Sequence, residues 1–483
     1  MSEHIKGFSR DQTLLFPQTL DQYISQDNPA RFIDAFVENL NPQSMDFTHA
    51  TPQDTGRPSY DPKDLLKLYI YGYLNQIRSS RRLEHACHIN LEAIWLMRQL
   101  TPDHKTIADF RKNNPQPIRA VFKEFVKVCI KLDLYGAELI AVDGSKFKAV
   151  NAKEKHFTQK TLAKRIELIE KSIKRYLKDL EAGDWTEDQN QAKQVWEEKV
   201  KALLAKKEKC KTLLNQMKAS GQNEVAFTDP ECRLMKTRSG VDSCYNVHAA
   251  VDDKNHLIAE YNVSNAPSDN HELRGIAKDA KQTLQVDSIK VVSDNGFFDS
   301  EEIEQCLKDG VVPFVALKQS SSGGHGSIPT PQFAVDKFVY DAVADVYVCP
   351  GGEKLDFYYS AVVEGRHIRI YRSKAGACFR CKFFGSECTK NKVGRQIWRC
   401  LPAAAVEEMR LRLRLHPGIM DKRKMLVEHP FGTLKRAFGA GFLLLKGLRK
   451  ISGEVGLLML AYNIRRVLNI FGAGALPLAF GGL

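Results

Sequence analysis

The sequence predicts an α/β protein: a mixed-sheet core broken by one helical and one cysteine-bearing insertion, preceded by an all-helical N-terminal part. Three observations predict it. Apolar residues before about residue 133 recur at helical spacing. After Asp229-Pro230 the pattern runs strand, hairpin, helix, strand, helix, strand, the order of a mixed sheet with helices. Two stretches fit neither pattern. One, Thr161 to about Ala219, is highly charged; the other, Lys318 to Cys400, is rich in Ser, Gly and Cys.

Each element has its own signal. Asp61-Pro62 opens DPKDLLKLYIYGYLNQI, in which Leu65, Leu66, Tyr69, Tyr73 and Leu74 share one helical face. Ser79 and Ser80 offer a cap for RRLEHACHI, and Pro102-Asp103-His104 precedes KTIADFRKNN, which Pro115 stops. ELIAVDG is a buried strand with Asp143 at its end, followed by the basic, irregular SKFKAVNAKEKHFT. Ile166, Ile169, Ile173, Leu177 and Leu180 mark a helical hairpin turned near Gly183-Asp184. CYNVHAAVD and HLIAEYNVS form a β-hairpin across Asp252 to Asn255. The helix ELRGIAKDAKQTL then leads to IKVVSD, ending at Asp294, and SEEIEQCLKDG leads to VVPFVAL. From Ala403 to about Phe471 the chain is helical again. The domains expected are residues 1–133, helical, and 134–471, the core, with insertions at about 155–222 and 318–402 and a flexible tail at 472–483.

Composition narrows the function. In 483 residues, 43% hydrophobic and 27% charged, the chain is globular rather than disordered. Lys and Arg number 71 against 58 Asp and Glu, a formal net charge of +13. That excess favours a polyanionic partner, because each phosphate contact releases condensed counterions. No secretory apolar segment opens the sequence, and no run approaches the roughly 20 apolar residues of a spanning helix. Eleven cysteines in such a chain point to a reducing cytoplasm. Short helices with clustered Arg81, Arg82, Lys105, Arg111 and Lys112 suit a helix-turn-helix-like DNA reader. The competing reading is a packing domain with solvated charges.

Three carboxylates stand out. Asp143 and Asp294 each close a hydrophobic strand, where α/β sheets place ligand-binding groups. Glu428 lies in the helical, basic MDKRKMLVEHPFGTLKR. Two such Asp and a Glu could hold two Mg²⁺ through oxygen ligands together with substrate phosphate. A lone Asp after a strand is more often a turn former or helix cap.

The motifs around these residues carry a resemblance. GRPSYDPKDLLKLYIYGYLNQIRSSRRLE and PDHKTIADFRKNN lie at the N-terminus. VDGSKFKAVNAKEKHFT, TDPECRLMKTRSG with YNVHAAVD, and SDNGFF follow, then VEHPFGTLKR and EVGLLMLAYNIRR. In this order, over roughly residues 10 to 470, the chain resembles the DDE transposases of bacterial insertion sequences, in the branch with an N-terminal helical domain and a cysteine-bearing insert. The resemblance implies an RNase H-like core. It implies that Asp143, Asp294 (with Gly296 and Phe297) and Glu428 are catalytic and bind two Mg²⁺ or Mn²⁺ ions, the Glu beginning a helix with Lys435 downstream. Glu428 and Lys435 are seven residues apart, which puts them on one helical face within about 20°. Lys435 could then hold phosphate as a point charge, and Lys424 shares the face. Related transposases often carry a Tyr and an Arg where this chain has Asp421 and Lys424, and Pro430 either kinks the helix or marks its start.

Lys146, Lys148 and Arg436 complete the expected DNA contacts. Asp229 reads as a turn residue before Pro230, and Asp269 as a loop residue. In the insert, Cys349 in CPGG, Cys378 and Cys381 in C-x-x-C, and Cys388 have knuckle-like spacing for one structural zinc, with Cys400 or His367 as substitutes. The alternative is free thiols in a small β-rich subdomain. The implied protein binds the terminal inverted repeats of its element and cuts and joins double-stranded DNA by a two-metal mechanism. It would act as a homodimer in the bacterial cytoplasm on the nucleoid. Two competitors are a binding-only copy that no longer cuts and a cellular RNase H-like nuclease.

Overall fold

The computed structural model describes residues 19–472 except 53–57, 153–155, 183–189, 222–223, 318–329, 364–365 and 375. The hairpin turn expected near Gly183-Asp184 and the tail beyond Gly472 lie outside the described residues. The chain forms two units, one of residues 1–128, 434–439 and 452–483, the other of 129–433 and 440–451. No helix among the described residues is long and apolar enough to cross a membrane.

The first unit is helical: α1 (Pro29–Glu38), α2 (Pro62–Leu74), α3 (Ser80–Ile89), α4 (Leu91–Leu96), α5 (His104–Asn113), the start of α6 (Pro115–Lys131), and most of the last helix, Leu448–Phe471. Caps set the starts, since the Asn28, Asp61 and Asp103 carboxyl or amide oxygens accept from the backbone N–H of Ala30, Lys63 and Thr106. Helix α2 is buried on nearly every side, so its polar groups must find partners inside. Tyr69 donates to the Ile107 carbonyl at 2.7 Å, and Lys67 pairs with Asp34 at 2.6 Å and with Glu38. Arg111 belongs to this interior, contrary to its expected place on a DNA-facing surface. It is 4% exposed, donates to the Tyr73 hydroxyl at 2.9 Å and the Arg78 carbonyl at 3.2 Å, and lies over the Tyr69 ring.

The second unit holds the sheet. Its elements are β1 (Leu139–Lys148), β2 (His156–Thr158), α7 (Gln159–Ala182), α8 (Asn190–Ser220), β3 (Glu224–Ala226), β4 (Arg233–Thr237), β5 (Gly240–Asp252), β6 (Ile258–Ser264), α9 (Leu273–Leu284), β7 (Ile289–Ser293), α10 (Ser300–Lys308) and β8 (Val311–Val315). β5 pairs antiparallel with β4, β6 and β1, while β7 runs parallel to β1 and β8 parallel to β7. Along the path β6-β5-β1-β7-β8, with β4 also on β5, three antiparallel strands are followed by two parallel ones, the RNase H-like core that the resemblance implied. α7 and α8 form the helical insertion, closed by Leu162, Ile169, Ile173, Leu213 and Met217. The cysteine-bearing insertion is a second sheet, β9 (Val339–Asp341) to β13 (Gln396–Cys400). Helices α11 (Ala403–Leu415) and α12 (Ile419–Gly432) return to the core.

One boundary differs from expectation. The segment after Asp143, read as irregular, continues β1 to Lys148, because β5 is long enough to pair it from Ile140–Asp252 to Lys148–Cys244. Asp143 is therefore inside β1. The strand that ends beside it is its parallel neighbour, whose pairing stops at Val142–Ser293.

Candidate active site

The site follows from that register. Leu139 to Val142 are buried, as a central strand covered on both faces requires. Where β7 ends, Asp143 on β1 and Asp294 just past Ser293 stand at the C-terminal edge of two adjacent parallel strands, the crevice in which open α/β sheets hold ligands. Backbone amides orient both carboxylates. Asp143 Oδ1 accepts from Gly144 N–H at 2.8 Å, and Asp294 Oδ1 from Gly296 N–H at 2.8 Å. Burial pushes the Asp143 carboxyl up to about 6. The Gly144 N–H and Arg423 pull it down, while the charges of Asp294 and Asp269 add to the rise.

Side chains alternate along a strand, so Asp143 and Phe147 share one face of β1. Helix α12 covers that face. Leu426 and Val427 pack on Leu139, Ala141 and Val292, and the Phe147 and Phe431 rings are 6.4 Å apart. The residue this helix aims at the site is Arg423, whose Nη1 lies 3.9 Å from Asp143 Oδ2. Glu428 follows Arg423 by five residues, a rotation of about 140° around the helix. It is exposed, and among the described residues its side chain makes no hydrogen bond or ion pair. The structure thus sets Asp143 and Asp294 beside each other, while Glu428, like Lys424, is an exposed residue of α12. Nor does Glu428 begin its helix: it is in the last turns of α12, and Pro430 is accommodated within the helix. Lys435 and Arg436 are on a π-helical turn, Thr433–Ala437, so regular helical spacing does not run from Glu428 to Lys435.

On the opposite face of β1 lies a group that sequence reasoning missed. Gly144 pairs with His248 and Lys146 with Asn246 across β1 and β5. Asp269, read above as a loop residue, reaches down to all of them. Its Oδ1 accepts from Asn246 Nδ2 at 2.6 Å and Lys146 Nζ at 3.0 Å, and lies 3.0 Å from His248 Nε2. Burial alone would raise the Asp269 carboxyl, but His248, Asn246 and Lys146 outweigh it and hold it below the usual carboxylate range. A Cβ on Gly144 would meet Asp269 Oδ1 and the His248 ring at 2.8 Å; one on Gly296 would come within 3.3 Å of Asp269 Oδ2. Asp269 thus sits behind both Gly144 and Gly296. The sequence hint was a glycine within two residues of each aspartate, Gly144 and Gly296, marking close approach of another group.

The basic residues divide. Lys146 is tied to Asp269, and Lys148 to Asp242 at 2.9 Å, so neither has an unpaired head. Arg81, Arg82 and Lys105 are exposed on α3 and α5. Asp229 is structural, buried and accepting from the Tyr245 hydroxyl at 2.9 Å and Gly447 N–H at 3.2 Å. Among the described residues no three His, Cys, Asp or Glu side chains are drawn together as a metal-holding group.

The family described as Transposase domain (DUF772) matches residues 18–113, and that described as Transposase DDE domain matches residues 348–468. No curated protein matches the chain. Among solved structures, a piggyBac transposase synaptic complex with hairpin DNA aligns over 92% of this chain and 75% of its own, at 10% identity and a TM-score of 0.33. That likeness is too slight to carry an argument. The two matched families meet the sequence from opposite ends, one over the N-terminal helices and one over the second insertion and the helices after it. Both matched families are transposase families and the second is a DDE domain, so the comparisons support a DDE transposase.

Proposed function

We propose that this transposase binds the terminal inverted repeats of its own element and catalyses divalent-metal-dependent cleavage and strand transfer of double-stranded DNA. The observation that carries the reading is the pair Asp143 and Asp294, set side by side where β7 ends against its parallel neighbour β1. Their donor set fits a hard cation: two carboxylates drawn together, one pushed up to about 6 by burial and by the other's charge, with a single guanidinium nearby. Asp143 and Asp294 would hold Mg²⁺ or Mn²⁺, with Glu428 completing the set by resemblance. Bound there, two such ions would supply an activated oxygen nucleophile and stabilisation of the leaving oxygen.

The chain's own residues do the rest. The Gly144 and Gly296 amides fix one oxygen of each aspartate and leave the other for ligand. Asp269 and His248 brace β1 from behind. Arg423, on the helix covering Asp143, is placed to meet a phosphate that enters beside the carboxylates. Water's oxygen would attack phosphorus, breaking the P–O3′ bond and freeing a 3′-hydroxyl. That hydroxyl would then attack a target phosphorus, expelling the target 3′-oxygen. Exposed Arg81, Arg82 and Lys105 would contact the ends, and a homodimer in the bacterial cytoplasm would pair two of them.

The test uses the full chain with a donor DNA that carries its reading frame and native flanks, in Mg²⁺ or Mn²⁺. Nicks at the element's ends and joined products are expected for the native chain and absent for Asp294→Asn. Specific binding of the flanks by the native chain without cleavage or joining would replace this reading with a binding-only protein.

A further inference from the structure

We infer that the second insertion is built around one structural zinc ion held by Cys349, Cys378, Cys381 and Cys388. Spacing alone left free thiols open as the other reading; three structural observations separate the two. The first is proximity. The four cysteines, brought from the end of the strand Val346–Val348, a 3₁₀ turn and the loop before β13, line a single cavity of about 530 Å³ together with Arg395.

The second is the shape of the two turns that present them. At the first, Gly352 N–H donates to the Cys349 carbonyl at 2.8 Å, and Glu353 N–H donates to Cys349 Sγ at 3.2 Å. At the other, Cys381 N–H donates to the Cys378 carbonyl at 3.1 Å, and Arg395 N–H donates to Cys378 Sγ at 3.3 Å. Backbone N–H groups aimed at sulfur stabilise a thiolate, and thiolate is the form that binds metal. Gly394, at φ +83°, makes the second approach possible, since a Cβ there would lie 3.2 Å from Cys378 Sγ.

The third observation is a charge without a counter-charge. Arg395 is 3% exposed, its Nη atoms donate only to the carbonyls of Cys388 and Phe333, and its Nε has no hydrogen-bond partner. Among the described residues no carboxylate pairs with it. A buried guanidinium opposite neutral thiols is strongly unfavourable. Zinc with four thiolates carries a net charge of −2, which supplies the missing anion in the same cavity. The insertion also suits such a staple. Among the described residues its core cluster is small, Phe333, Val335, Phe338, Tyr347, Leu355, Tyr371, Cys388 and Ile397, and a small core gains from a metal staple. Among the described residues no three of these thiols are gathered as a ready metal-holding group, so zinc would draw them inward from the cavity wall. With four protein ligands the ion would have no open position and no part in cleavage.

The experiment is metal content of the purified full chain, expressed with zinc and handled under reducing conditions. About one zinc per chain is expected for the native protein and for Cys210→Ser, whose cysteine lies in the helical insertion. The double variant Cys378→Ser and Cys381→Ser should lose it. Should that variant fail to fold, cobalt replacement in the native chain decides, because four thiolates give an intense near-ultraviolet sulfur-to-cobalt band. Folded native protein with no bound zinc and no such band overturns the inference, as does a zinc-replete double variant.

Discussion

Asp143 carries the sharpest tension between stability and chemistry. In the folded chain burial, and then the charge of Asp294, push its carboxyl up to about 6, against 3.8 for the ordinary group. Between about pH 4 and 6 the folded state holds a proton that the unfolded chain has released. Stability therefore falls as pH rises through that window and stays lower above it. Asp143→Asn removes the penalty. It should raise the melting temperature of the metal-free protein at pH 7.5, by up to about 3 kcal/mol of stability, and leave it unchanged at pH 4. The same substitution should lower cleavage by more than about 100-fold. Thermal melts at the two pH values, beside the cleavage assay, check both; equal melting at pH 7.5 would remove the electrostatic account. Gly144 gives a second test at this scale. Gly144→Ala drives a methyl to 2.8 Å from Asp269 Oδ1 and the His248 ring. The clash should destabilise by about 1–3 kcal/mol in chemical denaturation and reduce cleavage even though no carboxylate is removed.

At the scale of elements, the site depends on how α12 lies on β1 and how the loop bearing Asp269 lies under it. Asp269→Ala strips the acceptor from Asn246, Lys146 and buried His248, and should cost about 1–3 kcal/mol for the donors left unpaired. Asp269→Asn keeps one acceptor oxygen and should lose less. If both variants unfold at the same denaturant concentration as the native chain, Asp269 does not brace β1. On α12 the two flanks should behave differently. Leu426→Ala, at 3% exposed, should cost about 2–5 kcal/mol, whereas Met425→Ala, at 71% exposed, should stay within about 0.5 kcal/mol. Pro430 near the end of α12 and the π-helical turn after it explain why spacing misplaced the helix start. A proline at that depth reads equally well as N1 of a new helix, and only the packing of Leu426 and Val427 on the sheet decides between them.

For the whole molecule, the +13 charge should make DNA binding strongly salt-dependent. Replacing exposed Arg81, Arg82 or Lys105 by Ala should weaken binding and reduce the salt slope by about one for each phosphate that is no longer neutralised. Arg111→Ala should instead destabilise the helical unit, because it leaves Tyr73 and the Arg78 carbonyl without their buried donor. Fluorescence titrations of end DNA at several salt concentrations, beside thermal melts, separate the two classes. An Arg111→Ala protein of native stability with a reduced slope would return Arg111 to the DNA surface.

The sequence by itself determined what short-range physics encodes. Apolar runs ending in Asp143 and Asp294, the Asp252 to Asn255 turn and the Asp61-Pro62 helix start depend on periodicity and capping, which act within a few residues. The order of strands was enough to predict a mixed-sheet α/β core, and the family resemblance implied its RNase H-like form. Tertiary structure alone decided which neighbours each side chain meets. β5 extended β1 past Asp143 by pairing residues about a hundred positions away, and the same register placed His248 over Gly144 and Asn246 beside Lys146. Asp269, a loop residue by every local sign, became the acceptor for three donors on two strands. Arg111, basic and in a basic helix, was buried because tyrosines of α2 could satisfy it. Glu428 sits on its helix in sequence, but which flank of α12 faces Asp143 depends on packing against the sheet, and that flank carries Arg423. These outcomes rest on interactions between residues far apart in the chain, where spacing carries no information.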